Sequence, residues 1–479
     1  MKRTLACILA ALMVTPLVAC GGGKNNNGSN ASVTYAPETA AETVDPNYVG
    51  DDLGDLNMNG GKFTMYLACQ DPKNHYAIEE ETGELLNDVE YQRNIVIEDR
   101  FNLKLDYFNG YVGSDGSSQS VETAAISKFI EAGDTSFDAY IHVQHTGMPG
   151  LILQGYFMNW YDVPHIDLTK PYWYNKVIRD INYGTKVFTM SGAYHLSTLT
   201  SANCLIFNKN LFEDANIEYP YQSVIDGTWT YEKLAAIVKD SARDLNGDGT
   251  MTVGDDLYAY GGWQWEIIPA LFMGMGGDVL LKGEDGSPVL SIETDRNVEI
   301  IEKIYEIFSF NGSYYEGKTY SLPHDAFEAG KMLFYHGSLG VLGDFRDMED
   351  DFGFLPYPKF DEEQEDYNIR IQNTSGLTYL PVTNNNLDVT GVALEALSWY
   401  SYNNVVPTYF DQVLTYKTAR DQESEQMVPF FRTYTSYYDE AISFSILAVI
   451  QSGNSLVTYY ASQRNKVETA VAELAEFYK

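Results

Sequence analysis

Leu103-Lys104-Leu105-Asp106-Tyr107, then Val121-Glu122-Thr123-Ala124-Ala125-Ile126-Ser127-Lys128-Phe129-Ile130, then Phe137-Asp138-Ala139-Tyr140-Ile141-His142-Val143: over this span the apolar period passes from two to about 3.6 and back to a short continuous run. Leu103, Leu105 and Tyr107 alternate as a strand does. Val121, Ala125, Ile126, Phe129 and Ile130 fall on one helical face behind a Ser120 cap, and residues 137–143 read as a buried strand. A helix that returns the chain between two strands makes them parallel. The pattern continues outward. Phe63, Met65 and Leu67 alternate, a helix over residues 232–242 is capped by Thr230 with Leu234, Ile237 and Val238 inward, and a C-terminal helix carries Val467, Val471 and Leu474. The expectation is an α/β protein with mainly parallel sheets and no short internal repeat.

The N-terminus predicts export. Lys2-Arg3, an apolar stretch and small residues before Cys20 form a secretory signal. Leu17-Val18-Ala19-Cys20 resembles the bacterial lipobox, which implies cleavage after Ala19 and acylation of the Cys20 thiol. The competing reading is a transmembrane anchor, but residues 4–19 contain Pro16 and fall short of the ~20 residues a span needs. Residues 21–59 are rich in Gly, Asn, Ser, Thr and acid, a composition that stays disordered. A coil of that length spans roughly 35 Å. The chain therefore divides into a signal (1–19), a lipid-anchored tether (20–61) and a globular body of about 420 residues, enough for two domains.

The signal removes two cations and no acid, leaving 29 Lys and Arg against 67 Asp and Glu, a net charge of −38. That balance excludes nucleic acid and anionic headgroups, which are bound by cations that neutralise phosphates. Membrane contact is expected through the lipid alone, and the body is expected to be a monomer. Cys69 and Cys204 remain once Cys7 is cleaved away and Cys20 is acylated, each inside an apolar run. They are expected as two buried thiols; a disulfide would need Cα atoms within about 7 Å, and two cysteines make no zinc site.

Two stretches fit ligand-binding patterns. Gly312-Ser313-Tyr314-Tyr315-Glu316-Gly317-Lys318-Thr319 matches the phosphate-loop pattern, but the segment before it is helical, Pro323 is expected to break any helix after it, and Glu316 would face the anion. The match is rejected. Residues 244–255, Asp-Leu-Asn-Gly-Asp-Gly-Thr-Met-Thr-Val-Gly-Asp, have the spacing of an EF-hand calcium loop. Asp244, Asn246, Asp248 and Asp255 would converge their side chains on one hard cation, Thr250 would add its carbonyl, and Gly249 would let the chain reverse. Position 12 is Asp rather than Glu, and an Asn-Gly-Asp-Gly surface turn is the competing reading. Structural Ca²⁺ is the expected cofactor.

Further blocks occur in a fixed order. Phe207-Asn208-Lys209-Asn210-Leu211-Phe212, Tyr219-Pro220-Tyr221 and Gly227-Thr228-Trp229-Thr230-Tyr231-Glu232-Lys233-Leu234 are followed by Phe327-Glu328-Ala329-Gly330-Lys331 and by Phe352-Gly353-Phe354-Leu355-Pro356-Tyr357-Pro358-Lys359. Together, behind a lipobox, they resemble the family 1 extracellular solute-binding proteins over the chain from about residue 62; the acidic insert after the Thr230 helix also recurs in that family. The resemblance implies a two-lobed periplasmic-binding-protein-like fold with crossover hinge strands. Residues 62–200 and 375–417 would form one lobe, and 201–374 and 418–479 the other. It also implies a non-enzymatic lipoprotein on the outer face of the cell membrane that captures a carbohydrate, expected to be an oligosaccharide, and passes it to the permease subunits of an ABC importer.

Sugar binding calls for aromatic faces against C–H surfaces and planar polar groups against hydroxyls. The chain holds 37 Tyr, 23 Phe and 6 Trp, which suits that task and also suits a core. Strand ends carry the sites of open α/β folds, which selects Gln70 and Asp71 after the first strand; in the family this chain resembles, the turn after the 138–143 strand faces the cleft, which implies His142, Gln144 and His145. The family's hinge position implies Ser201, and its stacking position implies Trp263 or Trp265; His336, Ser338 and Arg346 complete the set. Trp229 and Trp399 read as core, and Trp173 as either. The alternatives are an extracellular carbohydrate-active enzyme, which needs two carboxylates about 5–10 Å apart, and a glycan adhesin. The sequence contains neither a GxSxG elbow nor an HExxH helix.

Overall fold

Most strand-forming runs pair with runs remote in sequence, and ten of them sort into two five-stranded sheets. The computed structural model describes residues 48–69, 75–113, 116–143, 147–314, 321–415, 422–433, 435–436 and 444–479. Residues Val49–Lys479 pack as one unit, so the body begins ahead of the expected boundary at residue 62: Leu53 enters the core, Asp51 pairs with Arg100, and the Val49 amide donates to Asn403 Oδ1 at 3.1 Å. The strands are β1 (Gly61–Leu67), β2 (Leu103–Asn109), β3 (Ala139–His142), β4 (Thr189–Met190), β5 (Asn203–Asn208), β6 (Tyr258–Gly261), β7 (Leu280–Lys282), β8 (Pro288–Leu290), β9 (Ser313–Tyr314), β10 (Met332–Ser338), β11 (Phe352–Leu355), β12 (Ile369–Arg370), β13 (Leu377–Tyr379) and β14 (Thr435–Ser436). The first sheet runs β2-β1-β3-β13-β4 and the second β11-β5-β10-β6-β9; β7 with β8 and β12 with β14 form two small pairs.

The sheets are mixed rather than mainly parallel. β1 is parallel to β2 and β3, but β13 is antiparallel to β3 and β4. In the second sheet β10 and β6 are parallel, while β5 is antiparallel to β10 and β11. The cause is topological. β5 and β13 enter their sheets from the two crossovers that join the lobes, so they run away from the edge at which β3 and β10 end. The crossovers pair with each other: Ala202 and Ile371 form an antiparallel bridge, and the Gln372 amide donates to the Ser201 carbonyl at 3.1 Å.

The helix after β2 begins at Gly116, a full turn before the expected Ser120 cap. The buried face carries Gln119, Glu122, Thr123, Ile126 and Ile130, rotated from the expected one, and leaves Val121 58% exposed. The helix therefore turns two polar side chains under the end of β3. The helix Tyr231–Ser241 buries Leu234 and Val238 as expected, with Thr230 at the N-cap position but no side-chain cap. Pro323 does not break the chain; it lies in the first turn of the helix Ser321–Glu328, where proline forfeits no helical hydrogen bond. Residues 315–319 of the phosphate-loop match lie outside the described residues. Cys69 and Cys204 are both buried. Trp229 is buried and donates to the Pro356 carbonyl at 3.1 Å, Trp399 is core, and Trp173 is core too, donating to Glu395 at 2.9 Å. No helix among the described residues is long and apolar enough to cross a membrane.

Candidate ligand-binding site

The ends of β3 and β10 meet at the crossovers, and polar side chains collect there from both sheets. On the first sheet, His142 closes β3 opposite Leu377 of β13. It is fully buried, with Nε2 3.4 Å from Thr123 Oγ1 and 3.7 Å from the Glu122 carboxylate. Glu122 in turn accepts from the Val112 amide and so ties the loop after β2 to the same edge. Gln70, Asp71, Gln144 and His145 lie outside the described residues. Behind the edge, His195 bonds Tyr76 through Nδ1 and Thr378 Oγ1 at 2.6 Å through Nε2. Burial pushes the pKa of this imidazole down to about 3, so it is neutral at pH 7.

On the second sheet, Asn203 opens β5 directly opposite Ser338 at the end of β10, and His336 lies two residues back on the same face. All three are buried. His336 Nδ1 shares a hydrogen bond with the Tyr357 hydroxyl, and burial, aided by the nearby Arg370 cation, pushes its pKa down to about 3. Gly262 is obligatory beside it, because a Cβ there would sit 2.5 Å from His336 Cβ. The chain then turns into the helix Gln264–Gly274 at Trp263. Trp263 is partly buried and Trp265 is 54% exposed, with ring centroids 6.5 Å apart. Ser201, partly buried, lies in the crossover itself. Arg346 points to solvent beside Asp347 and does not join the group.

Three residues of this edge escape the sequence reading: Arg370, Asn203 and Glu266. Arg370 Nη1 donates to Asn203 Oδ1 at 3.1 Å and to a Glu266 carboxylate oxygen. The signal that could have found Arg370 is its setting, a lone charge between Ile369 and Ile371, which demands a buried partner. Two cavities lie elsewhere. One of about 340 Å³ sits among Arg179, Asp180, Asp278, Lys282 and Asn368. Another of about 500 Å³ is lined by His75, Glu79, Glu80, Glu84 and Glu90. Neither includes a residue of these strand ends.

The acidic loop lies well away from this edge. Asp244 accepts the Gly247 and Gly249 amides at 2.6 and 2.8 Å, Asn246 accepts from Asp248, and Asp248 from Thr250. Gly249 takes φ +81°, which a side chain would strain. Asp256, which the spacing does not single out, is buried and accepts the Leu245 and Thr252 amides. It closes the loop from beneath while Asp255 stays exposed.

Two mixed sheets joined by paired crossovers, with polar strand ends and an exposed tryptophan gathered at the junction, define a two-lobed binding protein. The family model described as bacterial extracellular solute-binding protein matches residues 111–400. The chain belongs to that family. No curated relative matches the sequence. Among solved structures, UspC from M. tuberculosis is 12% identical at a TM-score of 0.53, over 87% of this chain and 100% of its own. The cyclic alpha-maltosyl-1,6-maltose binding protein from Arthrobacter globiformis is 14% identical at 0.52, over 88% and 99%. An ABC substrate-binding protein from Listeria monocytogenes, solved with cycloalternan, is 13% identical at 0.51, over 87% and 98%. At these identities the likeness establishes the fold.

Proposed function

We propose that the protein captures a carbohydrate, an oligosaccharide in the first instance, between its lobes and delivers it to an ABC importer, held at the outer membrane face by a lipid on Cys20. The observation that carries the reading is Trp265, a large apolar ring left 54% exposed beside the polar strand ends, where a sugar C–H face can stack. The carbohydrates named for the Arthrobacter and Listeria relatives support it. We take the lobes as residues 62–200 with 375–417 and 201–374 with 418–479, since β1 to β4 and β13 share one sheet and β5, β6 and β9 to β11 the other. Rotation about the crossovers would enclose the ligand.

The test is a thermal-shift screen of the purified protein against oligosaccharides; a ligand at 100 times its Kd stabilises by about 2.7 kcal/mol. Trp265→Ala should weaken the best hit at least about tenfold by calorimetry, roughly 1.4 kcal/mol, and leave the ligand-free protein as stable as before. No shift with any sugar sinks the carbohydrate reading, and release of shorter products during incubation sinks binding without catalysis. The loop of Asp244, Asn246, Asp248, Thr250 and Asp255 is assigned to structural calcium on its spacing, which sets short oxygen side chains at alternate positions of one exposed turn. A chelator should lower Tm in the wild type and not in Asp248→Ala; equal behaviour leaves a plain turn.

A further inference from the structure

The junction of the lobes contains a buried cation that is already neutralised. Arg370 is 3% exposed, and its Nη1 is shared between Glu266 and Asn203. Its Nε, the Asn203 amide nitrogen and His336 Nε2 are buried with no hydrogen-bond partner among the described residues. Glu266 commits Oε2 to Arg370 and keeps its side chain 13% exposed, so the pair reaches the surface through its acidic member. Position follows from the chain. Ile371, the next residue, bridges Ala202 in the crossover, and Glu266 adjoins the exposed Trp265. Ionic floor and aromatic wall are thus neighbours.

Such a floor discriminates by charge. An arriving carboxylate meets Glu266 first and can reach Arg370 only by displacing it, which strands a buried charge. An ammonium group faces the mirror problem. A hydroxyl both donates and accepts, so adjacent hydroxyls can donate to Glu266 and accept the spare N–H groups of Arg370 and Asn203 while both charges stay in place. The formal net charge of −36 repels anions in the same sense.

We propose that Arg370 and Glu266, braced by Asn203, form the floor of the ligand site and select uncharged polyhydroxylated ligands against uronate-bearing ones. This rests on the carbohydrate reading above.

The experiment measures Kd for a panel of neutral oligosaccharides and for the same molecules with C6 hydroxyls oxidised to carboxylates, on the wild type and on Glu266→Gln. The wild type should bind its best neutral member at least tenfold more tightly than the oxidised form. Glu266→Gln, which leaves Arg370 charged without its partner, should narrow or reverse that ratio by at least tenfold. Should this variant not fold, the wild-type ratio decides alone. A wild type that prefers the oxidised form, or a ratio that Glu266→Gln does not move, overturns the charge selection and leaves carbohydrate binding standing. Binding of neither form removes the carbohydrate reading and this inference with it.

Discussion

Glu395 shows how a single buried carboxyl shapes the response to acid. Its oxygens accept from the Tyr172 hydroxyl, the Trp173 indole at 2.9 Å and the Asp167 amide at 3.2 Å. Burial outweighs these donors and raises the carboxyl to about 7; Asp138 is raised to about 6, also by burial. An acid raised in the fold binds its proton more tightly there than in the unfolded chain, so the folded state gains stability as pH falls from 7 to 5. His195 and His336, lowered to about 3, act oppositely: their contribution is complete above pH 6.5 and is lost as pH falls from there towards 3. Between pH 7 and 5 the two pairs roughly offset. Glu395→Gln removes one of the raised acids, so on moving from pH 7 to 5 this variant should lose about 2 kcal/mol more than the wild type. Denaturant midpoints at the two pH values measure it, and identical losses would show that Glu395 keeps its charge throughout. At this scale the candidate site was half legible. Trp265 follows a Gly-Gly turn ahead of a helix and could be read locally. Arg370 and Asn203 are 167 residues apart, and no periodicity brings them together.

At the scale of elements, the helix Leu456–Tyr478 links parts of the chain that the crossovers do not. Most of it packs on the second lobe, through β8 and the helix Asp295–Ser309, with Arg464 paired to Glu293 at 2.9 Å. Its last turn crosses over. Tyr478 meets Tyr183 and Phe188 edge-on with centroids 5.6 Å away in each case, Phe477 lies 5.1 Å from Phe188, and Lys186 donates to the Phe477 carbonyl at 3.2 Å. The Gly184 amide adds a bond to Gly286, in the β7–β8 turn, at 2.7 Å. Replacing Phe477 and Tyr478 together with Ala should cost about 3 kcal/mol and speed amide exchange in residues 183–188 while β1 and β10 stay protected. A uniform rise in exchange would show that the helix end supports the whole fold rather than this loop. The helix itself was legible from Val467, Val471 and Leu474. Its docking was not, because residues 183–188 carry no periodic pattern. The same limit explains the sheets. Alternation revealed β1, β2 and β3, whereas the antiparallel returns of β5 and β13 follow from where the crossovers place them. The start of the helix Gly116–Glu131 was missed because Val121 looks apolar in sequence and the face actually buried carries Glu122 and Thr123.

For the whole molecule, the proposed lipid on Cys20 and the site at the crossovers are separable parts of one function. The cleft residues lie far along the chain from the anchor, and because the chain packs on the body from Val49 onward, the polar stretch left as a tether, residues 21–48, would reach roughly 30 Å. Binding should then depend on the body and delivery on the tether. Cys20→Ala tests the division. The variant should bind its ligand with unchanged Kd, because nothing near Trp265, Arg370 or Glu266 is altered. It should leave the membrane fraction, and uptake at limiting ligand should fall, since a freely diffusing binder is no longer concentrated near the permease. Uptake that stays at the wild-type rate with the protein equally abundant but unanchored would separate the lipid from transport. A changed Kd would instead tie the N-terminal segment to the cleft.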